Sequence, residues 1–347
     1  MAEPAVEILR GQLVESVAYA DVAVVDSLGR IVAWAGDPER ATFWRSSAKP
    51  FQAMPLLLHG AVQEFGLSGP DLAILTASHG GEPRHLERVS SLLSKISADP
   101  KELACGVHWP SSESARRALQ KAGAEPTVLH NNCSGKHTGM LMLARRLGVP
   151  SRGYLSLEHP VQQRILQVIR QMTGIAPHLP LQTATDGCGA PTFYLPLARM
   201  AFAYARLVDP RGLDFDQAAA ATLLAEAIRT YPELVSGEGR LEVRLSEATD
   251  GRFVAKGGAE AVFALGVPER GWGIAIKMAD GNSRTLPTAV VATLLSLDLL
   301  EDRARNQLHH LLFPVIKNHA GNEVGGMRPV LDLHRAQLAV KTQPPGL

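Results

Sequence analysis

Arg45-Ser46-Ser47-Ala48-Lys49-Pro50 divides this chain: the sequence before it reads as strand, and the sequence after it reads as helix. It holds the only Ser-x-x-Lys among 347 residues. Residues three apart on a helix share a face, so the spacing brings the Ser46 hydroxyl within reach of the Lys49 amine. A serine becomes a nucleophile when a neighbouring base takes its proton, and a lysine kept neutral by burial and nearby cations can be that base. Pro50 suits the first turn of a helix. That places Ser46 at or just before a helix start, where the local dipole favours developing negative charge. On its own, a four-residue match of this kind is more often chance than catalysis.

Upstream, the first 36 residues read as β-structure. The apolar runs Asp21–Asp26 and Arg30–Ala35, split by Ser27-Leu28-Gly29, predict a hairpin there. Downstream, Phe51–Val62 predicts a helix kinked at Pro55. Periodic runs over His85–Ile96, Glu113–Ala122, Lys136–Leu147, Pro160–Met172 and Asp216–Thr230 predict a helical middle. Strand character returns in Leu241–Leu245, Arg252–Lys256, Ala259–Val267 and Trp272–Met278, before an apolar helix over Thr288–Leu300. Strands at both ends with helices between them predict an α+β fold whose termini share one largely antiparallel sheet, not an alternating βαβ order. The chain reads as a single domain over 1–347, with sheet-bearing parts at about 8–50 and 240–335 and a mainly helical subdomain at about 51–239. No G-x-G-x-x-G or Walker signature stands between a strand and a helix, which argues against a nucleotide site.

Composition narrows the functional classes. A chain that is 46% hydrophobic and 20% charged is an ordinary globular protein. Basic residues number 35 against 34 acidic, for a net charge of +1 with no basic block, so nucleic acid and acidic membrane surfaces are not expected partners. The opening Met1-Ala2-Glu3-Pro4-Ala5-Val6-Glu7 lacks an apolar export core, and no apolar run reaches about 18 residues. A cytoplasmic protein with reduced thiols at Cys105, Cys133 and Cys188 is the expectation.

A second lysine, in Phe253-Val254-Ala255-Lys256-Gly257-Gly258, closes a predicted strand, and its two glycines allow a substrate backbone to come close. A Ser-Lys pair near a helix start, followed far downstream by Lys-x-Gly on a strand, resembles the layout of penicillin-recognising serine enzymes. Thr76-Ala77-Ser78-His79-Gly80 offers Ser78 where those enzymes carry Ser-Asp-Asn. The expected couples are Ser46 with Lys49 and Ser78 with Lys256, two ammonium groups that depress each other's pKa. Asn131-Asn132-Cys133-Ser134-Gly135-Lys136-His137-Thr138-Gly139 reads as a loop entering a helix, with Cys133 and Lys136 on one face. Thr185-Asp186-Gly187-Cys188-Gly189 is a turn bearing a carboxylate and a thiol. Two thiols can bind zinc, but a structural zinc site wants four Cys or His ligands, and buried inert cysteines are the simpler reading of composition alone. His79 and His137, inside these loops, outrank His85 and His159 as functional candidates. Ser236-Gly237-Glu238-Gly239-Arg240 is either a surface turn or a presenter of Glu238 and Arg240 to a polar substrate.

Taken together these segments, with His159-Pro160 and the stretch Lys277 to Gly281, resemble the L-asparaginase II family of the rhizobial type. The resemblance runs from about residue 8 to about residue 332. Cys-Ser-Gly-Lys-His and Asp-Gly-Cys are far more specific than Ser-x-x-Lys. The resemblance implies a serine-β-lactamase-like (glutaminase-like) fold, a homodimer, and hydrolysis of L-asparagine to L-aspartate and ammonia. It implies catalysis by Ser46, Lys49, Ser78 and Lys256; which serine attacks is open, with Ser46 activated by Lys49 the favoured nucleophile on chemical grounds and Ser78 with Lys256 relaying protons or holding the substrate. It implies zinc held by Cys133, Lys136 and Cys188, shaping the pocket rather than generating hydroxide. Substrate contacts are expected from Arg45, His79, His137, Asp186, Glu238 and Arg240. A β-lactamase-type or penicillin-binding acyl hydrolase, and a zinc-stabilised binding module without catalysis, are the rival readings.

Overall fold

The computed structural model describes residues 1–336. Its strands are β1 (Glu3–Arg10), β2 (Leu13–Asp26), β3 (Ile31–Ala35), β4 (Ala41–Phe43), β5 (Gln182–Thr185) and β6 (Pro191–Pro196). They continue with β7 (Val254–Gly258), β8 (Val262–Val267), β9 (Trp272–Met278), β10 (Val315–Lys317), β11 (Glu323–Pro329) and β12 (His334–Arg335). The main sheet runs β10-β11-β1-β2-β9-β8-β7, with β3 also on β2 and β12 on β3. Every pairing in it is antiparallel. Both ends of the chain therefore build one sheet, with β7 at its edge. A small second sheet, β4-β6-β5, stands beside it.

Between these ends lie α1 (Lys49–Leu58), α2 (Ala61–Glu64), α3 (Gly69–Leu75), α4 (Pro83–Lys95), α5 (Glu113–Lys121) and α6 (Ser134–Arg146). There follow α7 (Pro160–Thr173), α8 (Leu197–Val208), α9 (Phe215–Thr230), α10 (Pro232–Val235) and α11 (Leu241–Ala248). Two more helices, α12 (Leu286–Ser296) and α13 (Asp302–Leu312), come after β9.

Successive side chains of a strand face opposite ways, and here both faces are covered. Ala23, Val25, Ala264 and Ala275 join one core with α8 and the helical middle. Val22, Val24, Phe263, Leu265, Ile274 and Ile276 join a second core with α12 and α13. Burial of a side chain such as Phe263 or Ile276 contributes about 2 kcal/mol. Glycines let α8 lie close on the sheet. A Cβ on Gly273 would stand 1.8 Å from the Ala201 carbonyl oxygen, and one on Gly266 would stand 2.5 Å from Val208.

Leu241–Leu245, expected as a strand, is helical. Five residues of Leu-Glu-Val-Arg-Leu alternate like a strand, yet the same run fits a short helix once Glu242 finds a partner on β7. The apolar run predicted to end at Leu300 leaves the helix at Ser296. Pro55 lies inside α1, which continues past it to Leu58. α8 and α13 are additional to the predicted elements. Among the described residues no helix is long and apolar enough to cross a membrane.

Candidate active site

Ser46 stands on a tight turn, Arg45–Ala48, that leads directly into α1 with Pro50 in its first turn. Arg45 holds the left-handed conformation (φ 52°), uncommon for a side-chain-bearing residue. Its surroundings fix that conformation. The Arg45 N–H donates to Thr192 Oγ1 at 3.3 Å, and its guanidinium grips Asp186 Oδ1 through two nitrogens at 3.1 and 2.9 Å. Ser47, the neighbouring hydroxyl, is buried and donates to the Trp44 carbonyl at 2.7 Å. Tyr204 donates to the Ser47 carbonyl at 2.8 Å, pinning the turn from α8.

The sheet edge meets this turn at Gly258. A Cβ there would lie 3.3 Å from the Ser46 nitrogen, the Trp44 oxygen and the Arg45 Cβ. Gly258 thus admits the backbone that carries Ser46, while Gly257 and Gly258 both line the cleft beside it.

Lys49 is buried at the start of α1 and reaches away from its own turn. Its ammonium donates to the Ala77 carbonyl at 2.5 Å and to Ser78 Oγ at 2.8 Å. The hydrogen bond expected with Ser46 is made to Ser78 instead. Ser78 follows α3, and its backbone N–H donates to the Val235 carbonyl at 2.8 Å. Lys256 is also buried; it donates to the Gly257 carbonyl at 2.8 Å and stands 3.7 Å from Glu242 Oε1. Burial lowers the pKa of Lys49, with the Cys133 thiolate pulling the other way. Burial lowers Lys256 as well, to about 8, against the attraction of Glu242.

Ser46, Ser78 and Lys256 line one cleft of about 630 Å³, together with Asn132, Arg240 and Glu242. Both hydroxyls are partly exposed there, while both lysines are buried. This is a nucleophile-and-base arrangement, in which desolvated amines sit behind accessible hydroxyls.

Cys133, at the start of α6, meets Cys188 and Lys136. Lys136 Nζ donates to Cys188 Sγ at 3.0 Å. Pairing with Cys188, helped by the Lys49 and Lys136 ammoniums, holds the Cys133 thiol well below its usual range against burial. Burial disfavours the Lys136 charge, but the paired sulfurs more than offset it and raise its pKa. Among the described residues no group of three or more His, Cys, Asp or Glu converges, so a metal at this point depends on Lys136. Two soft sulfurs and an amine, the amine already on Cys188, are a donor set that zinc would accept once the lysine sheds its proton. The cluster fits the ion.

The other expected site residues are placed differently. Arg45 and Asp186 bind each other beneath the Ser46 turn. Asp186 lies below the ordinary carboxylate range: burial works against its charge, but the Gly187 N–H and then Arg45 and Lys136 outweigh it. His79 is fully buried, with one ring nitrogen on Ser134 Oγ at 2.8 Å and the other accepting from the Gly81 N–H at 3.2 Å. His137 is buried against the Tyr154 hydroxyl at 2.6 Å. Neither imidazole lines the cleft. Glu238 lines an adjoining depression of about 370 Å³ that shares Arg240 with the cleft. Asn132, Glu242, Glu260 and Ser283 are polar cleft residues that sequence reasoning missed. The Asn131-Asn132 pair before α6 was a usable signal for the first; the strand assignment hid the second.

Residues 6–329 match the family model described as L-asparaginase II. The chain belongs to that family of amide hydrolases. No curated protein sequence matches it. Among solved structures, a β-lactamase from Mycobacterium bovis is similar at 16% identity and TM-score 0.43, over 80% of this chain and 94% of its own. An octameric penicillin-binding protein homologue from Pyrococcus abyssi is similar at 13% identity and TM-score 0.42, over 84% and 75%. A mutant simvastatin synthase from Aspergillus terreus stands at 12% and 0.40, over 84% and 90%. At these scores the likenesses carry no weight for fold or chemistry, which rest on the topology and the site described above.

Proposed function

We propose that this protein hydrolyses the side-chain amide of L-asparagine to L-aspartate and ammonia through its paired serines and lysines. The observation that carries the reading is the 2.8 Å hydrogen bond from buried Lys49 to Ser78, which lines one cleft together with Ser46 and Lys256. Neutral Lys49 takes the Ser46 proton, and Ser46 Oγ bonds to the amide carbon. The Lys49 proton passes through Ser78 to the amide nitrogen, the C–N bond breaks, and ammonia leaves a β-aspartyl ester on Ser46. Water then attacks the ester while Ser78 and neutral Lys256 take its proton; the ester C–O bond breaks and Ser46 recovers its hydrogen. Arg240, on the cleft wall, is suited to the substrate's α-carboxylate.

Cys133, Cys188 and Lys136 would hold zinc. When bound, the ion supplies a fixed positive charge beside Lys49, and the chain's own groups carry each proton.

A second reading, with Ser78 as nucleophile, is favoured by that same direct bond to Lys49. Ammonia release from L-asparagine and L-glutamine by wild type, Ser46→Ala and Ser78→Ala, with mass-spectrometric trapping of the acyl intermediate, tests both. The first reading expects no adduct in Ser46→Ala and an adduct in Ser78→Ala. The reverse pattern supports the second, and a wild type that releases no ammonia overturns the reaction itself.

A further inference from the structure

Glu242 is 7% exposed, a rare place for a carboxylate, and it lies in the cleft wall that holds Lys256. It belongs to the first turn of α11, while Lys256 and Gly257 belong to the edge strand β7. Its Oε1 accepts the Gly257 N–H at 2.9 Å and stands 3.7 Å from Lys256 Nζ. β7 is the edge of the sheet, and among the described residues no strand lies beyond it to take that N–H. Glu242 therefore completes the ladder and faces the lysine with one oxygen.

We propose that Glu242 is the positioning residue of Lys256: it ties the Gly257 backbone to α11 and decides in which charge state Lys256 meets the substrate. The groups facing Lys256 come from several elements. Glu242 is the anion on α11, Arg240 precedes that helix, Lys49 lies on α1, and Cys133 sits at the start of α6. Lys49 and Arg240 disfavour a charge on Lys256, while Glu242 and the Cys133 thiolate favour it. Tyr204 also faces Glu242, but its hydroxyl is committed to the Ser47 carbonyl and stays protonated. Of the two anions, Glu242 has the larger influence on Lys256.

Glu242→Gln separates tether from charge, because the amide oxygen can still accept from Gly257 while the negative charge is gone. The kinetic arm rests on the proposed amide hydrolysis, in which neutral Lys256 is the active form. In Glu242→Gln the rise of kcat/KM with pH should move to lower pH by about one unit, the usual effect of losing an opposite charge at this distance. Glu242→Asp should restore the limb in part, and Glu242→Ala should lose both the tether and the limb position. A limb that coincides in wild type and Glu242→Gln overturns the proposal. So does a raised KM with an unmoved limb, which would make Glu242 a direct substrate ligand.

A second arm needs no substrate. Denaturant unfolding of wild type and Glu242→Gln between pH 6 and 10 reads the Lys256 proton as a slope of stability against pH. The variant's slope should begin at lower pH than the wild type's, and superimposable slopes overturn the proposal. A moved slope alongside a wild type that releases no ammonia refutes the reaction and leaves the role of Glu242 standing.

Discussion

Lys256→Met isolates the electrostatics of the cleft in one measurement. Lys256 is 1% exposed, and burial is the main cause of its pKa falling from 10.5 to about 8. The sign follows from which state holds the proton. Between pH 8 and 10.5 the unfolded chain keeps a proton that the folded chain has shed, so stability rises with pH across that window. Below it both states are protonated, and the folded state bears the whole cost of the buried charge, about 3 kcal/mol. Above it the cost is gone. Methionine is of similar length and does not titrate, so any repacking it causes is an offset independent of pH. The stability of wild type relative to Lys256→Met should therefore climb by about 3 kcal/mol from pH 7 to 10.5. Lys49 and Lys277 are also lowered by burial, but both chains contain them and they largely cancel in the difference. Urea unfolding followed by tryptophan fluorescence at half-unit pH intervals gives the curve. A difference that stays flat across the window refutes the reasoning, because an unperturbed lysine has nothing to release there.

Gly273→Ala tests the seat of α8 on the sheet. With the Ala201 oxygen 1.8 Å from the new Cβ, the helix must lift, and a loss of about 3 kcal/mol or more is expected as a fall in thermal midpoint. Cys188→Ala tests the sulfur-amine cluster: after dialysis against zinc, elemental analysis should find about one ion per wild-type chain and almost none in the variant, at unchanged far-ultraviolet circular dichroism. Equal zinc in both proteins would remove Cys188 from the ligand set.

Much of the fold was legible because strand and helix signals segregate along the chain. The hairpin of β2 and β3 declares itself by two apolar runs around Gly29, whose φ of 83° suits glycine. Which face each of these residues serves was not legible. Val22, Ala23, Val24 and Val25 are all buried, since α8 covers one face and α12 the other, and the polar alternation that would orient them is erased. α8 is marked only by Arg199 and Arg206, seven residues apart on one face, a polar stripe too narrow to stand out in an apolar run. Leu241–Leu245 failed for the opposite reason: its alternation was genuine, but Glu242 points at β7 rather than at solvent.

At the site, residue types were legible and partnerships were not. Spacing determines the direction in which a side chain leaves the backbone, and Ser46 and Lys49 do leave neighbouring turns. It does not determine where a four-carbon chain ends. Lys49 ends at the Ala77 carbonyl and Ser78, because α3 delivers those atoms to the interior where a buried ammonium must find acceptors. Satisfying that charge is a tertiary demand, and it bonds Lys49 to the serine outside its own motif. The consequence is mechanistic. A proton taken from Ser46 by Lys49 already has an exit through Ser78, so Ser78→Ala should slow the departure of ammonia more than the attack on the amide. A deuterium solvent isotope effect that grows in Ser78→Ala supports the shared amine, and one that stays constant argues for two independent couples.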